Sequence, residues 1–170
     1  MPVICWRSPR VHVGMKVQQK LILLAVTGAG TGYLPGMPGT LGTLVAIPLS
    51  FVLNGLATFS VALAIVALAV AIGCAIALSN EACEILKQKD PQVIVIDEIV
   101  GFLLANFLSP DKVSCLLTSF ILFRFFDIVK IFPADRLERL PGGAGVVLDD
   151  IAAGFYTFVI VQLLLRWGWL

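Results

Sequence analysis

Residues Leu21–Asn80 read LILLAVTGAGTGYLPGMPGTLGTLVAIPLSFVLNGLATFSVALAIVALAVAIGCAIALSN, sixty positions without one Asp, Glu, Lys, Arg or His. A soluble fold has no comfortable place for so long an uncharged run. A bilayer does, because about 20 apolar residues cross its hydrocarbon core as a helix. The whole chain of 170 residues agrees: 59% is hydrophobic and 14% charged, against about 25% charged in ordinary soluble domains, and the mean hydropathy is +0.98. That length allows one domain and about four to six crossings.

The stretch is not uniform. Leu21–Thr43 is rich in Gly and Pro, and irregular backbone survives in lipid only where protein or a watery cavity satisfies its polar groups. The pattern predicts a short apolar helix, a loop dipping into a polar site, and a helix from near Thr40 to about Leu53 with Pro48 as a tolerated kink. Asn54-Gly55 reads as a tight turn. Leu56–Ser79 is the cleanest spanning helix.

Beyond Asn80 the chain alternates polar connections with apolar arms. Asn80–Gln92 is polar; Val93–Leu108 and Val113–Phe126 flank the turn signal Ser109-Pro110-Asp111-Lys112. Each arm is roughly 21–24 Å long as a helix, short for a crossing. A second connection, Asp127–Asp150, precedes a last helix, Ile151–Trp167, ending in an aromatic tail in which Trp167 and Trp169 suit an interfacial belt. The expected fold is therefore all-α: a compact helical membrane bundle with about four to five membrane-embedded helices and a Gly/Pro-rich loop near the N-terminus. Residues 1–20 form a basic cytoplasmic N-terminal segment and 21–170 a single helical membrane domain. Met1–Lys20 has no apolar run followed by a cleavage site, so no signal peptide is expected.

Placing Asn54-Gly55, the Pro110 turn and the C-terminus on one side leaves only Lys112 and Arg166 there, against ten basic residues on the other. The positive-inside rule then makes the N-terminal side cytoplasmic. Ten of the eleven acidic residues share that side. The net charge of +1 suggests neither nucleic acid nor a polybasic lipid-binding tail. Cys5, Cys74, Cys83 and Cys115 have no ligand spacing and read as small packing residues.

Three segments carry candidate chemistry. Asp97-Glu98 opens an apolar arm, with Gly101 one turn later. Arg124 and Asp127 share a helical face at i, i+3. Gly142-Gly143-Ala144-Gly145 leads into Asp149-Asp150 at an expected helix start. One carboxylate can cap a helix, but a second adds repulsion where the membrane makes charge costly. Five acids converging on one face require counter-charge, which Arg124, Lys130 and a divalent cation could provide. With only oxygen ligands on offer, Mg²⁺ suits better than Zn²⁺. Asp97, Glu98, Asp149 and Asp150 are the metal-ligand candidates, and Asp127 is a further ligand or orients Arg124.

Gly39-Thr40-Leu41-Gly42-Thr43, at a helix start, offers free backbone N–H groups and hydroxyls to an anion, or equally allows close helix packing. It is not a Walker A loop, since no Gly-Lys-Ser/Thr follows. His12, the only histidine, reads as a solvated tail residue away from every motif. Histidine-dependent phosphoryl transfer and Ser-His-Asp hydrolysis are thereby disfavoured, and no Cys-x5-Arg loop is present.

Taken in order, Pro38-Gly39-Thr40-Leu41-Gly42-Thr43, Asp97-Glu98-Ile99-Val100-Gly101, Arg124-Phe125-Phe126-Asp127-Ile128-Val129-Lys130, and Gly143-Ala144-Gly145 leading to Asp149-Asp150 and Gly154 resemble the phosphatidylglycerophosphatase A family of bacterial lipid phosphatases. The likeness runs from Leu24 to about Val161. It departs at Lys130-Ile131-Phe132-Pro133, where the family has Pro directly after Lys, and at Thr43, where Ser is common; neither removes a charged group. The resemblance implies Mg²⁺-dependent hydrolysis of phosphatidylglycerophosphate to phosphatidylglycerol and phosphate at the cytoplasmic face of a bacterial inner membrane. Arg124, Lys130, Gly39 and Thr40 would bind phosphate, with the lipid bilayer and the phospholipid substrate as partners; a homo-oligomer is compatible with the sequence. A cation-coupled carrier is the competing reading, although carriers place such charges near the bilayer midplane. Transfer of a lipid to an alcohol would need the spaced aspartates of the CDP-alcohol transferases, which are absent.

Overall fold

The computed structural model describes residues 15–34, 36 and 38–170. Cys5, Arg7, Arg10 and His12, and most of the basic segment 1–20, lie outside the described residues. Within them the chain forms seven α-helices and no strand: α1 (Val17–Val26), α2 (Pro38–Phe59), α3 (Val61–Leu86), α4 (Ile96–Ala105), α5 (Val113–Val129), α6 (Ala134–Leu137) and α7 (Gly143–Arg166). Three of these, α2, α3 and α7, are long and apolar enough to cross a membrane. The shorter α4 and α5 pack against them, so the expected all-helical membrane bundle is the fold observed. Along α3, Val61, Leu63, Ile65, Val66 and Val70 point outward, a surface suited to lipid.

Helix α3, expected over Leu56–Ser79, runs from Val61 to Leu86, into the expected connection, and two further expectations change. Asn54-Gly55 is no turn: α2 runs through both residues, and the chain reverses at Ser60, whose hydroxyl caps α3 by accepting from the Leu63 N–H at 3.3 Å. Asn54 is instead a buried polar clamp. Its Nδ2 donates to the carbonyls of Asn106 (3.0 Å) and Ser109 (3.2 Å), and its Oδ1 accepts from the Leu108 N–H at 2.9 Å. Helix α4 stops after ten residues, and its freed backbone groups need partners; Gln162 supplies another by donating to the Phe107 carbonyl at 3.0 Å. Asn54→Leu is therefore expected to destabilise the protein by roughly 2–3 kcal/mol through stranded backbone groups. Thermal unfolding in detergent would show this as a lowered Tm, and an unchanged Tm would refute the clamp.

The second change concerns Asp149-Asp150. They lie in the second turn of α7 and not at its start, because the glycine run 143–145 is already helical. The cause is tertiary: a Cβ at Gly143 would overlap the Ile76 carbonyl of α3, and one at Gly145 would overlap the Leu140 carbonyl. The glycines thus admit close neighbours to the first turn of α7, and the acidic pair is drawn inward.

Helices α4 and α7 run side by side in the same direction. Gly101 and Gly154 meet where they touch: a Cβ on Gly154 would overlap the Gly101 carbonyl, and one on Gly101 would sit 2.9 Å from the Asp150 carbonyl. Small residues let helix backbones approach, and this contact sets Asp97 level with Asp150. The Phe102, Phe120 and Phe123 rings pack edge-to-face behind it. Ser60, the 106–112 turn and the C-terminus gather at the other end of the bundle, where Lys112 Nζ reaches the Leu170 carbonyl at 3.4 Å.

Candidate active site

A cleft of about 670 Å³ opens at the end of the bundle where α2, α4 and α7 begin and α5 finishes. Each acidic segment reaches it from a different helix. Asp97 and Glu98 occupy the first turn of α4, where the helix dipole favours negative charge. That turn is anchored from behind by the Val95 N–H, which donates to the Val26 carbonyl of α1 at 2.8 Å. Asp149 and Asp150 come from α7, both buried, and Asp127 and Arg124 from the last turns of α5.

The oxygens of Asp97, Glu98 and Asp150 lie within 4.8 Å of one another. Glu98 Oε2 is buried without a hydrogen-bond partner. Three oxygen ligands at that spacing can close on a single hard cation. Asp149 is placed differently. Its Oδ2 accepts from Lys130 Nζ at 2.9 Å, while its Oδ1 is buried and unpartnered.

Two cations border the acids. Arg124 Nη1 stands 2.7 Å from Asp127 Oδ2, the i, i+3 pair read from the sequence. Lys130 terminates α5 in a left-handed conformation (φ 48°), an unfavourable geometry for a side chain with a Cβ. It bridges Asp149 and Glu138, the latter at 3.1 Å. Burial alone would lower the Lys130 pKa, but the hydrogen bonds and charges of Asp149 and Glu138 more than offset it and hold the ammonium above its ordinary value. Lys130 is thus a fixed positive charge at neutral pH.

Gly39 lines the cleft wall in the first turn of α2, and a Cβ there would overlap Glu98 Oε1 and crowd the Arg124 guanidinium. Its glycine makes room for these two groups. Thr40, one residue on, is not among the lining residues, and Thr43 turns its hydroxyl back to the Gly39 carbonyl at 2.8 Å. Lys89, Asp90, Glu138 and Arg139 also line the cleft. None of the four is among the candidates read from the sequence. The signal for Glu138 was the charged run 135–139 lying between two acidic motifs.

A polytopic helical membrane protein with carboxylates and fixed cations gathered in a recessed cleft at one end has the make-up of an enzyme that works on charged lipid head groups. The comparison with known proteins narrows this class. The family model for phosphatidylglycerophosphatase A matches residues 24–165, and the chain belongs to that family of lipid phosphatases. A Bacteroides thetaiotaomicron protein named "Putative phosphatidylinositol-3-phosphatase" is 36% identical over 90% of this chain and 98% of its own. Phosphatidylglycerophosphatase A of Haemophilus influenzae is 35% identical over 85% of this chain and 88% of its own. The Escherichia coli protein of the same name is 32% identical over 88% and 86%. No solved structure matches the chain. The cation-coupled carrier finds no support among these relatives.

Proposed function

We propose that this protein hydrolyses phosphatidylglycerophosphate to phosphatidylglycerol and inorganic phosphate, using Mg²⁺ held by Asp97, Glu98 and Asp150, at the cytoplasmic face of a bacterial inner membrane. The observation that carries the reading is the convergence of three carboxylates from α4 and α7 beside the Arg124–Asp127 and Lys130–Asp149 pairs. The donor set is all oxygen, and Glu98 brings to it a carboxylate whose buried Oε2 has no hydrogen-bond partner, which fits Mg²⁺. Asp149, whose Oδ1 is also free, is the fourth candidate ligand. When bound, the ion would supply charge neutralisation to the phosphate oxygens.

The chain's own residues do the remaining work. Arg124 has the planar fork that matches two phosphate oxygens, and Asp127 holds it in place. Lys130 presents a permanent charge, and the first turn of α2 at Gly39 contributes backbone N–H groups, an anion-binding arrangement. Recessing these groups within the bundle lowers the local dielectric and strengthens every charge interaction with the substrate. The ten-to-two distribution of basic residues supports a cytoplasmic cleft. Among the described residues Lys89, Arg124, Lys130 and Arg139 line the cleft, while Lys112 reaches the Leu170 carbonyl at the other end.

The relatives' names agree on a phosphate monoester carried by a lipid and differ on its head group. Phosphate release should therefore be measured with the purified protein on phosphatidylglycerophosphate and phosphatidylinositol 3-phosphate side by side, with Mg²⁺ and with excess EDTA. The expected result is preference for phosphatidylglycerophosphate, with activity lost in EDTA and restored by Mg²⁺. Full activity in EDTA would overturn the metal assignment, and preference for the inositol lipid would overturn the substrate.

A further inference from the structure

An apolar groove of about 380 Å³ runs between α4, α6 and α7, lined by Leu104, Leu137, Leu148, Ile151 and Phe155. It shares two walls with the acidic cleft. The short α6 segment turns Leu137 into the groove, while the next residues, Glu138 and Arg139, line the cleft. On α7 a single turn divides its side chains the same way: Leu148 and Ile151 face the groove, and Asp149 and Asp150 face the acids. The two spaces are therefore separated by about one helix width, roughly 10 Å.

The groove starts level with the carboxylates and runs down α7 to Phe155 and to Leu104 near the end of α4, away from the cleft side of the bundle. Its residues are too apolar to draw in a head group, and α7, which forms one of its walls, is long and apolar enough to cross a membrane. Tyr156 keeps its ring at the groove wall while its hydroxyl donates to the Phe132 carbonyl at 2.6 Å, so the polar tip is satisfied elsewhere. The groove thus lies across that wall from the cleft, about one helix width from where a lipid phosphate would enter.

We propose that this groove seats one acyl chain of the lipid phosphomonoester and so holds the lipid at the cleft; the assignment rests on the phosphatase reading above. Occupancy by unselected membrane lipid is the competing explanation.

Two experiments test it. Ala152 lies in the groove and is only partly buried, so Ala152→Phe would fill the space without entering the cleft. Its KM for dipalmitoyl phosphatidylglycerophosphate should rise by about tenfold at similar kcat, as expected when binding common to ground and transition states is lost. Its kcat/KM for the deacylated, water-soluble head group should stay unchanged. Equal losses on both substrates, or none on either, would overturn the groove. The second arm needs no turnover. Phosphatidylglycerophosphate with a diazirine in one chain is photolysed with the wild-type protein, beside phosphatidylcholine bearing the same chain. Several-fold enrichment of label on Leu137, Leu148, Ile151 and Phe155 with the phosphomonoester is expected, and equal labelling by both lipids refutes the groove. Enriched labelling without phosphate release would keep the groove and remove the phosphatase reading; release without enrichment would do the reverse.

Discussion

Asp97→Asn is expected to lower phosphate release by about 10²–10³-fold, the usual effect of removing one preorganised charged group from a reaction site, while the protein folds normally and unfolds no earlier than the parent. The two halves of this result have one cause. Asp97, Glu98 and Asp150 present oxygens within 4.8 Å of one another. Ionised carboxylates at that distance repel by on the order of 3 kcal/mol per pair at an effective dielectric of 20. Asparagine keeps the shape of the side chain and its oxygen acceptor for the Glu98 N–H, now 3.0 Å from Asp97 Oδ1, and deletes one of the repelling charges. Stability is thus held or gained where function is lost, the exchange typical of a site built against its own folding energy. The measurement pairs initial rates across a Mg²⁺ titration with Tm in detergent. Wild-type turnover in a folded Asp97→Asn protein would remove this residue from the site; a Tm lowered by many degrees would mean that Asp97 is structural.

How far the sequence alone leads depends on the distance over which each feature is encoded. The membrane bundle was legible because hydropathy is summed locally along the chain. The Arg124–Asp127 pair was legible because three residues on a helix are one turn. The meeting of Asp97 with Asp150 was predicted only as membership of a common face. Its cause is the Gly101–Gly154 contact between α4 and α7, and no local pattern distinguishes a packing glycine from a loop glycine. The same ambiguity misplaced two boundaries. Gly143 and Gly145 resemble a loop, yet they are helical, and their missing Cβ atoms make room for the Ile76 and Leu140 carbonyls. Asn54-Gly55 has turn chemistry, yet Asn54 spends its amide on the backbone of a turn more than fifty residues away. Lys130 was visible as a charge beside a motif, whereas its bridge to Glu138 and Asp149 depends on how the 131–142 connection folds back.

Arg124→Lys is expected to cost about 10- to 100-fold in kcat/KM, because lysine retains the charge but not the fork that grips two oxygens at once. The guanidinium is confined between Asp127, 2.7 Å away, and the backbone at Gly39, which has no side chain to obstruct it. An ammonium on a flexible stem would not be fixed in either direction. The same variant resolves the two roles open to Asp127, when combined with Asp127→Asn in a double-mutant cycle. If Asp127 acts by holding Arg124, its removal from the Arg124→Lys protein adds little, and the cycle shows a coupling of roughly 1–3 kcal/mol, as for residues sharing one network. The Mg²⁺ concentration for half-maximal activity then stays the same in all four proteins. If Asp127 is instead a ligand of the ion, the two losses add, and that concentration rises wherever Asp127 is replaced. The geometry favours the first outcome. Asp127 Oδ2 is already engaged by Arg124, whereas the oxygens that converge on one point belong to Asp97, Glu98 and Asp150. On this basis the phosphate would be held between an arginine fixed by its own helix and a cation fixed by two others, and misplacing either should slow release without unfolding the bundle.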